Sequence, residues 1–281
     1  MLNQEIISAN DISVVIPFYK AYDFFEAALD SVKNQNVNVR EIIVVDDECT
    51  EKAKQYLNHF NDITVIHLAK NSGPSTARNT GAQEAKTDWI AFLDADDIWH
   101  NNKIEQQIAF LTKYPEFSAC HTGIETFNNK GIINKYNEKP FDLTIADLLK
   151  SSHVTPPSLL IKKSVMASAN YFDVKMRCSE DHDLSIRLLE QGFKIGFLNQ
   201  TLTKVRRMDH GNISSNGRSL IIGHWQLLKK NFHLFKMLKG SVSYFIYKTF
   251  MTAGSKSIGI EKKSYYLLGK IFCLFVPKNW R

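Results

Sequence analysis

Three predicted β-strands end in residues that could contact a ligand, namely Pro17-Phe18-Tyr19, Asp46-Asp47 and Asp94-Ala95-Asp96-Asp97. Ligands of open α/β sheets bind beyond the carboxyl ends of the strands, so these residues are expected at one edge. The five acids among them would repel one another unless a cation or hydrogen-bond donors lay between them. A single acid at a strand end is commonly a helix cap, but the whole set predicts a ligand site.

Asp94 and Asp96 form a D-x-D pair. In an extended chain, residues i and i+2 point to the same face, so both carboxylates are expected to address one small volume. Mg²⁺ and Mn²⁺ prefer oxygen ligands, and Mg²⁺ typically takes one or two carboxylates, with substrate phosphates and water completing its shell. The pair therefore predicts a metal–diphosphate site with Mn²⁺ or Mg²⁺ as the cofactor.

A second candidate feature is the segment Asn71–Asn79, with the sequence NSGPSTARN. Gly73 allows a close backbone approach, and Pro74 suits the first turn of a helix whose N-terminus favours anions. Arg78 adds a fixed positive charge about one turn further along. The alternative is a surface loop with a solvated arginine.

Cys178–Asp183 places three acids and a histidine at the predicted start of a helix. One carboxylate could act as a general base for an acceptor hydroxyl, whereas the alternative is that the acids complement the helix dipole. His210 follows Arg206 and Arg207 in a polar cluster. This histidine could bind a metal or a phosphate, or it could be structural.

The elements that must position these residues alternate between strand and helix. Strands are predicted at Ile12–Pro17, Glu41–Val45, Ile63–Leu68 and Trp89–Leu93, and helices at Ala21–Asn34, Glu51–Phe60, from Pro74 through Ala85, and Ile104–Leu111. Beyond Tyr114 we predict short strands near Ser118–Thr126, Gly131–Asn134, Ser158–Ile161 and Lys194–Leu198, and a helix at Asp183–Gln191 that Gly192 ends. This alternation predicts an α/β fold with a Rossmann-like, mostly parallel central sheet flanked by helices.

The last fifth of the chain differs in charge from the rest. From His224 onward there are eleven Lys or Arg residues and one acid, among many aromatic residues in a predicted helical context. We predict a domain at 1–220 and a basic helical extension at 221–281, with an anionic membrane surface as its partner. Sparse arginine argues against nucleic acid. The alternatives are packing on the catalytic domain or on a second subunit, so a homodimer stays open.

Four widely spaced cysteines without a C-x-x-C pair favour neither a zinc site nor a disulfide framework. The first eleven residues show no basic segment followed by an apolar one, so no signal peptide is expected. The apolar runs are much shorter than the roughly 20 residues that span a bilayer. We therefore expect a cytoplasmic protein, with peripheral contact to the inner face of the cell membrane through the extension.

Five motifs together resemble the family 2 glycosyltransferases of the GT-A fold, many of whose bacterial members build capsule, O-antigen or other surface polysaccharides. The motifs are VVIPFYK, IIVVDD, NSGPSTARNTG, FLDADD and SEDHDLSIRLLEQG, and the resemblance covers Ile12 to about Ser215. It implies an inverting, metal-dependent transfer of a sugar from a nucleotide-sugar donor, with a UDP-sugar as the first choice. The implied acceptor is a hydroxyl of a glycan or a lipid-linked glycan.

The resemblance also implies roles for single residues. Those implied to contact the nucleotide sugar are Pro17, Phe18, Tyr19, Asp46, Asp47, Arg78, Asp94, Ala95 and Asp96. Within this set, Asp46 or Asp47 would contact the base and Asp94 the ribose. Asp96 would hold the metal that bridges the diphosphate, and His210 falls where some members place a histidine close to that metal. Asp181 matches the general base.

The chain departs from the family pattern after its paired aspartates, where Glu48-Cys49-Thr50-Glu51 replaces the common Gly-Ser-Thr-Asp. The turn and its base contacts are therefore expected to differ. No Q-x-x-R-W motif is present, which favours a single-addition transferase over a processive synthase. Two alternatives are a nucleotidyltransferase, whose Gly-rich, Lys-containing loop is missing, and a non-catalytic nucleotide- or carbohydrate-binding subunit of the same fold. The intact D-x-D pair and Asp181 argue against the second.

Overall fold

The computed structural model describes residues 7–207 and 216–280. The chain divides into two compact units. The first unit comprises Met1–Leu143, Val154–Phe172 and Arg187–Arg207, and the second comprises Thr144–His153, Asp173–Ile186 and Met208–Arg281. The division predicted near residue 220 stays a prediction, because compactness is not a test of independent folding.

Nine strands form in the described part of the chain, all in the first unit. They are β1 (Ile12–Phe18), β2 (Glu41–Asp46), β3 (Thr64–His67), β4 (Trp89–Phe92), β5 (Ile98–Trp99), β6 (Ala119–Asn128), β7 (Gly131–Tyr136), β8 (Leu159–Lys162) and β9 (Ile195–Arg206). The helices are α1 (Phe25–Lys33), α2 (Glu51–Leu57), α3 (Pro74–Glu84), α4 (Lys103–Lys113), α5 (Ile145–Lys150), α6 (Lys163–Ser168), α7 (Glu180–Glu190), α8 (Gly217–Lys230), α9 (Phe232–Met237), α10 (Ser241–Ser255) and α11 (Gly259–Cys273). Short 3-10 helices occupy Ala9–Asp11, Pro156–Ser158 and Lys278–Trp280.

The strands form one sheet in the order β3-β2-β1-β4-β8-β6-β9-β5, with β7 paired to β6. Strands β3, β2, β1 and β4 run parallel, so their carboxyl ends meet at one edge, as predicted. The other half is mixed, because β8 runs antiparallel to both β4 and β6 while β9 runs parallel to β6. The predicted α/β architecture with flanking helices is confirmed, and the candidate site lies on its parallel half.

Burial explains why the sequence forms these strands. Nearly every residue of β1, β2 and β4 is buried, which matches their largely apolar composition, rich in Val and Ile in β1 and β2. Helix α3 packs very closely on this sheet, since a Cβ atom added at Gly81 would lie 2.4 Å from Cγ1 of Val15. This close packing places the polar residues of α3 beside the strand ends.

Some predicted boundaries were wrong. Strand β9 has twelve residues and runs to Arg206, well past the predicted end at Leu198. Strand β9 extends because it pairs with β6 along most of its length, and long-range pairing of this kind leaves no local sequence signal. Helix α7 begins three residues earlier than predicted, at Glu180, and Gly192 follows its end with a φ of +83°.

The described part of the second unit is helical, as the sequence predicts for the basic end of the chain. Helices α10 and α11 have 15 residues each and pack against each other. In the described residues, no helix is long and apolar enough to cross a membrane. Helix α8 begins at Gly217, just before the predicted start of the extension.

Candidate active site

Asp46, the last residue of β2, is fully buried and organises the turn that follows it. Its Oδ1 accepts the backbone N–H groups of Glu48 at 3.0 Å and Cys49 at 3.2 Å. Its Oδ2 accepts a hydrogen bond from Nδ1–H of His67, at the end of β3, at 2.8 Å. Asp46 therefore stabilises the edge of the sheet, whatever contact it also makes with a ligand.

The turn after β2 adapts to the missing glycine. The left-handed conformation falls on Cys49, with a φ of +61°, and not on Glu48. Glu48 instead extends its carboxylate to the loop after β1, where Oε2 accepts the backbone N–H of Lys20 at 3.1 Å. Lys20 is also left-handed, with a φ of +51°. The substitution that separates this chain from the common family motif thus joins two loops at the site.

Asp47 anchors the loop before α3. Its buried carboxylate accepts the N–H groups of Ser72 at 2.6 Å and Gly73 at 2.8 Å, and its carbonyl accepts a bond from the Asn71 side chain. Burial raises the pKa of Asp47, and the two N–H bonds oppose that rise. Asp47 thus takes the N–H groups of Ser72 and Gly73, whereas the expectation that the N-terminus of α3 favours an anion concerns the N–H groups after Pro74 and stays a prediction.

Arg78 is buried on α3, so the alternative of a solvated arginine in a surface loop was wrong. Its Nη2 donates to Asp94 Oδ1 at 2.5 Å, and its guanidinium carbon lies 5.8 Å from the centre of the Phe172 ring. Asn79, the next residue, exchanges hydrogen bonds with the backbone N–H and carbonyl of Phe172. Two adjacent residues of α3 thus fix Asp94 and the segment that ends at Phe172.

The D-x-D pair lies in a turn, which corrects the extended geometry expected from the sequence. Strand β4 ends at Phe92, and the Asp97 N–H donates to the Asp94 carbonyl at 3.0 Å. Asp94 and Asp96 still interact electrostatically, since the charge of Asp94 raises the pKa of Asp96. Asp94 and Asp96 are therefore brought near each other by a tight turn and not by strand alternation.

Asp96 and Asp97 are difficult to ionise in this environment. Burial, with the charge of Asp94 second, raises the pKa of Asp96 to about 6, and Arg206 and Arg207 oppose the shift. Burial, Asp94 and Asp96 raise the pKa of Asp97 well above its ordinary value. Such a site favours a bound cation, which would stabilise the ionised carboxylates.

The described residues contain no group of three or more His, Cys, Asp or Glu side chains that could enclose a metal ion. Mg²⁺ commonly takes only one or two carboxylates, with substrate phosphates and water completing its shell. His210, predicted as a second ligand, lies outside the described residues. The metal site predicted from the sequence therefore stays a prediction.

Arg206, at the end of β9, is a site residue to which the sequence assigned no role. Its backbone N–H donates to Asp97 Oδ1 at 2.8 Å, and its Nε donates to the Asp96 carbonyl at 3.0 Å. The guanidinium lies between the rings of Phe24 and Phe127, 4.5 Å from each ring centre. The polar run after residue 205 was the available signal, but only the extended β9 places Arg206 beside the acids.

The three residues predicted to contact the nucleotide sugar at the end of β1 differ in burial. The Phe18 side chain is buried and packs edge-on against Tyr22 and Phe25 at 5.4 and 5.3 Å, while its carbonyl accepts the Asp47 N–H at 2.9 Å. Pro17 is partly buried, and Tyr19 is exposed. Only the Tyr19 ring is therefore open to stack on a base; the Phe18 side chain belongs to the core. Ala95 is buried within the D-x-D turn.

In the second unit, the first turn of α7 divides the acidic cluster. His182 is buried, its Nε2–H donates to the Leu148 carbonyl at 2.6 Å, and burial lowers its pKa to about 4. Asp183 is fully buried and accepts a bond from Lys230 at 2.9 Å. Asp181 is only partly buried, and its Oδ1 accepts the His182 N–H at 2.7 Å. His182 and Asp183 are thus buried inside the unit, whereas Asp181 is partly exposed.

Helix α8 supports this turn. A Cβ atom at Gly223 would lie 2.4 Å from Sγ and 2.7 Å from the carbonyl oxygen of Cys178, so the two segments are in direct contact. The Gln226 side chain accepts the Arg177 N–H at 2.9 Å and donates to the Lys175 carbonyl at 3.0 Å. Helix α8 therefore packs on the segment that leads into α7, within the same unit.

Comparison with known proteins identifies the class of enzyme. Residues 13–167, more than half of the chain, match the family model described as Glycosyl transferase family 2. The chain belongs to glycosyltransferase family 2. It is an inverting glycosyltransferase, as the sequence resemblance implied, and the nucleotidyltransferase and non-catalytic alternatives are set aside.

Two relatives match this family 2 glycosyltransferase over most of their length. TuaG of Bacillus subtilis, named as a glycosyltransferase of teichuronic acid biosynthesis, is 28% identical over 233 residues, covering 81% of this chain and 88% of TuaG. WfgD of Escherichia coli, named UDP-Glc:alpha-D-GlcNAc-diphosphoundecaprenol beta-1,3-glucosyltransferase, is 28% identical over 223 residues, or 77% and 85% of the two chains.

A solved structure shows the same fold. The crystal structure of S. aureus TarS residues 1–349 in complex with UDP-GlcNAc aligns with a TM-score of 0.67 and 17% identity. The alignment covers 96% of this chain and 82% of that one. At this identity the similarity is evidence for the fold alone.

Proposed function

We propose that this protein transfers a sugar from a nucleoside diphosphate sugar, with a UDP-sugar as first candidate, onto a hydroxyl of a lipid-linked glycan in bacterial surface polysaccharide synthesis. One observation carries the proposal. At the carboxyl edge of the parallel strands, Asp94 is held by buried Arg78, beside two carboxylates whose pKa values are raised. The activities for which TuaG and WfgD are named, and the UDP-GlcNAc in the TarS crystal, support this choice of substrates.

The nucleotide would bind across the loops after β1 and β2. Tyr19 is exposed and could stack on the base, while Asp46 and Asp47 hold the surrounding loops. Pro17, the Phe18 backbone and Ala95 would line the pocket. Asp94 would contact the ribose, with Arg78 keeping it in place.

The metal proposal rests on the raised pKa values of Asp96 and Asp97. Asp96, together with His210, would hold Mn²⁺ or Mg²⁺ against the diphosphate. When bound, the ion would neutralise the charge that develops on the leaving group, which is commonly the largest contribution in such catalysis. Arg206, which donates to the Asp96 carbonyl, keeps the D-x-D turn in position.

Asp181 is the proposed general base. Its partly exposed carboxylate would accept the proton of the acceptor hydroxyl as that oxygen forms a bond to the anomeric carbon. The bond from this carbon to the diphosphate breaks in the same step, and the nucleoside diphosphate leaves with its electron pair. A single displacement inverts the anomeric carbon. The neighbouring His182 is not the proposed base, because its Nε2–H is engaged with the Leu148 carbonyl.

A lipid-linked acceptor would place the enzyme at the cytoplasmic face of the membrane, and we include membrane-surface contact through the basic C-terminal helices in the proposal. From residue 224 onward, the excess of eleven basic residues over one acid supports this contact. A homodimer stays an untested prediction.

The test is donor turnover and binding measured together. Purified protein is incubated with UDP-, GDP-, dTDP- and CMP-sugars, with Mn²⁺ or with EDTA, and released nucleotide is recorded. We expect Mn²⁺-dependent release from one UDP-sugar, lost in Asp96→Ala and strongly reduced in Asp181→Asn. Asp62→Asn, at an acid whose side chain is largely exposed, is the matched control and should be active. If calorimetry detects no nucleotide binding with Mn²⁺ present, the proposal of a nucleotide-sugar donor is wrong.

A further inference from the structure

Helix α11 has two opposite apolar faces, and only one of them is covered. On the inner face, Cβ atoms added at Gly254 and Gly269 would lie 2.9 Å from Tyr266 and Met251, so α10 and α11 are in close contact. Phe250 of α10 stacks on Phe272 of α11, with ring centres 5.9 Å apart. The contact between α10 and α11 therefore uses only the inner face of α11.

The outer face carries an apolar stripe that Ser264 interrupts once, between Ile260 and Leu267. Its members recur at helical spacing and are all exposed, namely Ile260, Leu267, Leu268, Ile271, Leu274 and Phe275. Ile260 is 83% exposed and Leu274 is 76% exposed, values that a globular surface rarely shows for several large apolar residues along one line. At 3.6 residues per turn, this stripe lies on the opposite side of the helix from Gly269.

An apolar groove continues the stripe at its C-terminal end. It has a volume of about 540 Å³ and is lined by Val242, Ile246, Phe272, Phe275 and Pro277, with Lys239 at its margin. Phe275 belongs to both features. The exposed apolar surface therefore runs from the start of α11 to the start of α10.

The charges beside the stripe identify the kind of surface that covers it. Lys263 and Lys270 are exposed on one flank of the stripe. Glu261 is the only acid from residue 224 onward, and Arg218 neutralises it in an ion pair. A second copy of the chain would bring like charges together, whereas an anionic surface would attract them.

We propose that the outer face of α11 lies on an anionic lipid membrane, with the stripe in the apolar boundary and the lysines at the headgroups. An amphipathic, basic helix that is too short and too polar to span a bilayer lies in the plane of the membrane surface. This assigns the membrane contact of the proposed function to one face of one helix. The contact itself does not depend on the proposed function; only its purpose, access to a lipid-linked acceptor, rests on that function.

The apolar part is tested by co-sedimentation of the full chain with vesicles of phosphatidylglycerol and phosphatidylcholine in equal amounts. The double variant Leu267→Ser and Ile271→Ser should weaken binding at least about ten-fold, since each side chain leaves the apolar boundary. Both residues are exposed, so the fold should be unaffected. The matched control is Ile132→Ser and Ile133→Ser, at two exposed isoleucines on β7, and it should bind like the parent protein.

The electrostatic part is tested with Lys263→Gln and Lys270→Gln. At low salt, each lysine removed should weaken binding about five-fold, and the difference should shrink as salt screens the charges. The control pair is Lys86→Gln and Lys130→Gln, at exposed lysines outside the second unit. Vesicles of phosphatidylcholine alone should bind all proteins weakly.

Three results would overturn the inference: equal binding to both kinds of vesicle, no loss in the Leu267/Ile271 variant, or a control that weakens as much. If that variant changes the oligomeric state and not vesicle binding, the stripe is an interface between copies. Nucleotide release, measured without vesicles, should be unchanged in the α11 variants. If the parent protein releases none, the proposed function fails, and the vesicle result stands or falls on its own.

Discussion

Replacing Lys230 by methionine is expected to loosen the first turn of α7, which carries Asp181. The Lys230 ammonium donates to Asp173 Oδ2 at 2.7 Å and to Asp183 Oδ2 at 2.9 Å. Methionine retains much of the aliphatic stem but removes the charge. Asp183, which is fully buried, would lose this partner.

The magnitude follows from how buried the pair is. Removing one partner of a fully buried ion pair costs about 3–5 kcal/mol. The Lys230 side chain is 35% exposed, so water would replace part of the lost interaction. We therefore expect a loss of about 2–3 kcal/mol, in the range of charged hydrogen bonds. For a chain of this size, that loss lowers Tm by roughly 4–12 °C.

The substitution should affect kcat and the KM for the donor differently. A misplaced base affects the chemical step, and a displacement of about 1 Å can cost on the order of 10²-fold in rate. We expect kcat to fall at least about ten-fold, with little change in the KM for the donor, whose proposed contacts come from other elements. Lys229→Met, at the exposed neighbouring position on α8, is the control for the charge change.

Thermal unfolding followed by circular dichroism and steady-state nucleotide release measure these effects. The double variant Lys230→Met and Asp183→Asn should be more stable than the sum of its single variants implies, with a coupling of at least about 1 kcal/mol. Additive effects, or a Tm within a degree of the parent protein for Lys230→Met, would refute the role assigned to this lysine.

Three further changes test other parts of the structure. Asp96→Asn should abolish metal-dependent turnover yet raise Tm in EDTA at pH 7. The folded-state pKa of about 6 exceeds the ordinary 3.8, so wild-type stability falls as pH rises between those values, and the gain should vanish below about pH 4. Partial exposure reduces the gain to about 1–2 kcal/mol. Asp94→Asn should lower stability by about 1.5–3 kcal/mol at the same pH, because buried Arg78 loses a charged partner; an increase in Tm would contradict this. Gly223→Ala should cost about 1–3 kcal/mol in denaturant unfolding, because the added methyl group collides with backbone as well as Sγ of Cys178; unchanged stability would show that the helix can move aside.

Much of the parallel half of the fold could be predicted because its signals are local. Continuous apolar runs such as Ile12–Pro17 have no wet face, so they indicate central strands, and the residues that end them must meet at one edge. The same logic located Asp46, Asp47, Asp94 and Asp96. The mixed half could not be placed in this way, because β8 and β9 are ordered by pairing with β6.

The different roles of neighbouring acids could not be predicted from the sequence. Asp181 and Asp183 are two residues apart in one helix, but Asp183 is paired with a lysine 47 residues away. Arg206 likewise contacts Asp96 and Asp97 from more than 100 residues along the chain. No local pattern encodes these partners.

The sequence by itself determined the family, the parallel strands and which acids stand at their ends, because periodicity and motif order are properties of short segments. Tertiary structure decided how each acid is used. Burial and hydrogen bonds to distant segments make Asp46, Asp47 and Asp183 parts of the scaffold. Burial and the charge of Asp94 raise the pKa of Asp96, and Asp181 is left partly exposed. The physical reason is that solvation and charge depend on everything that surrounds a side chain, and those surroundings exist only once distant segments have packed together.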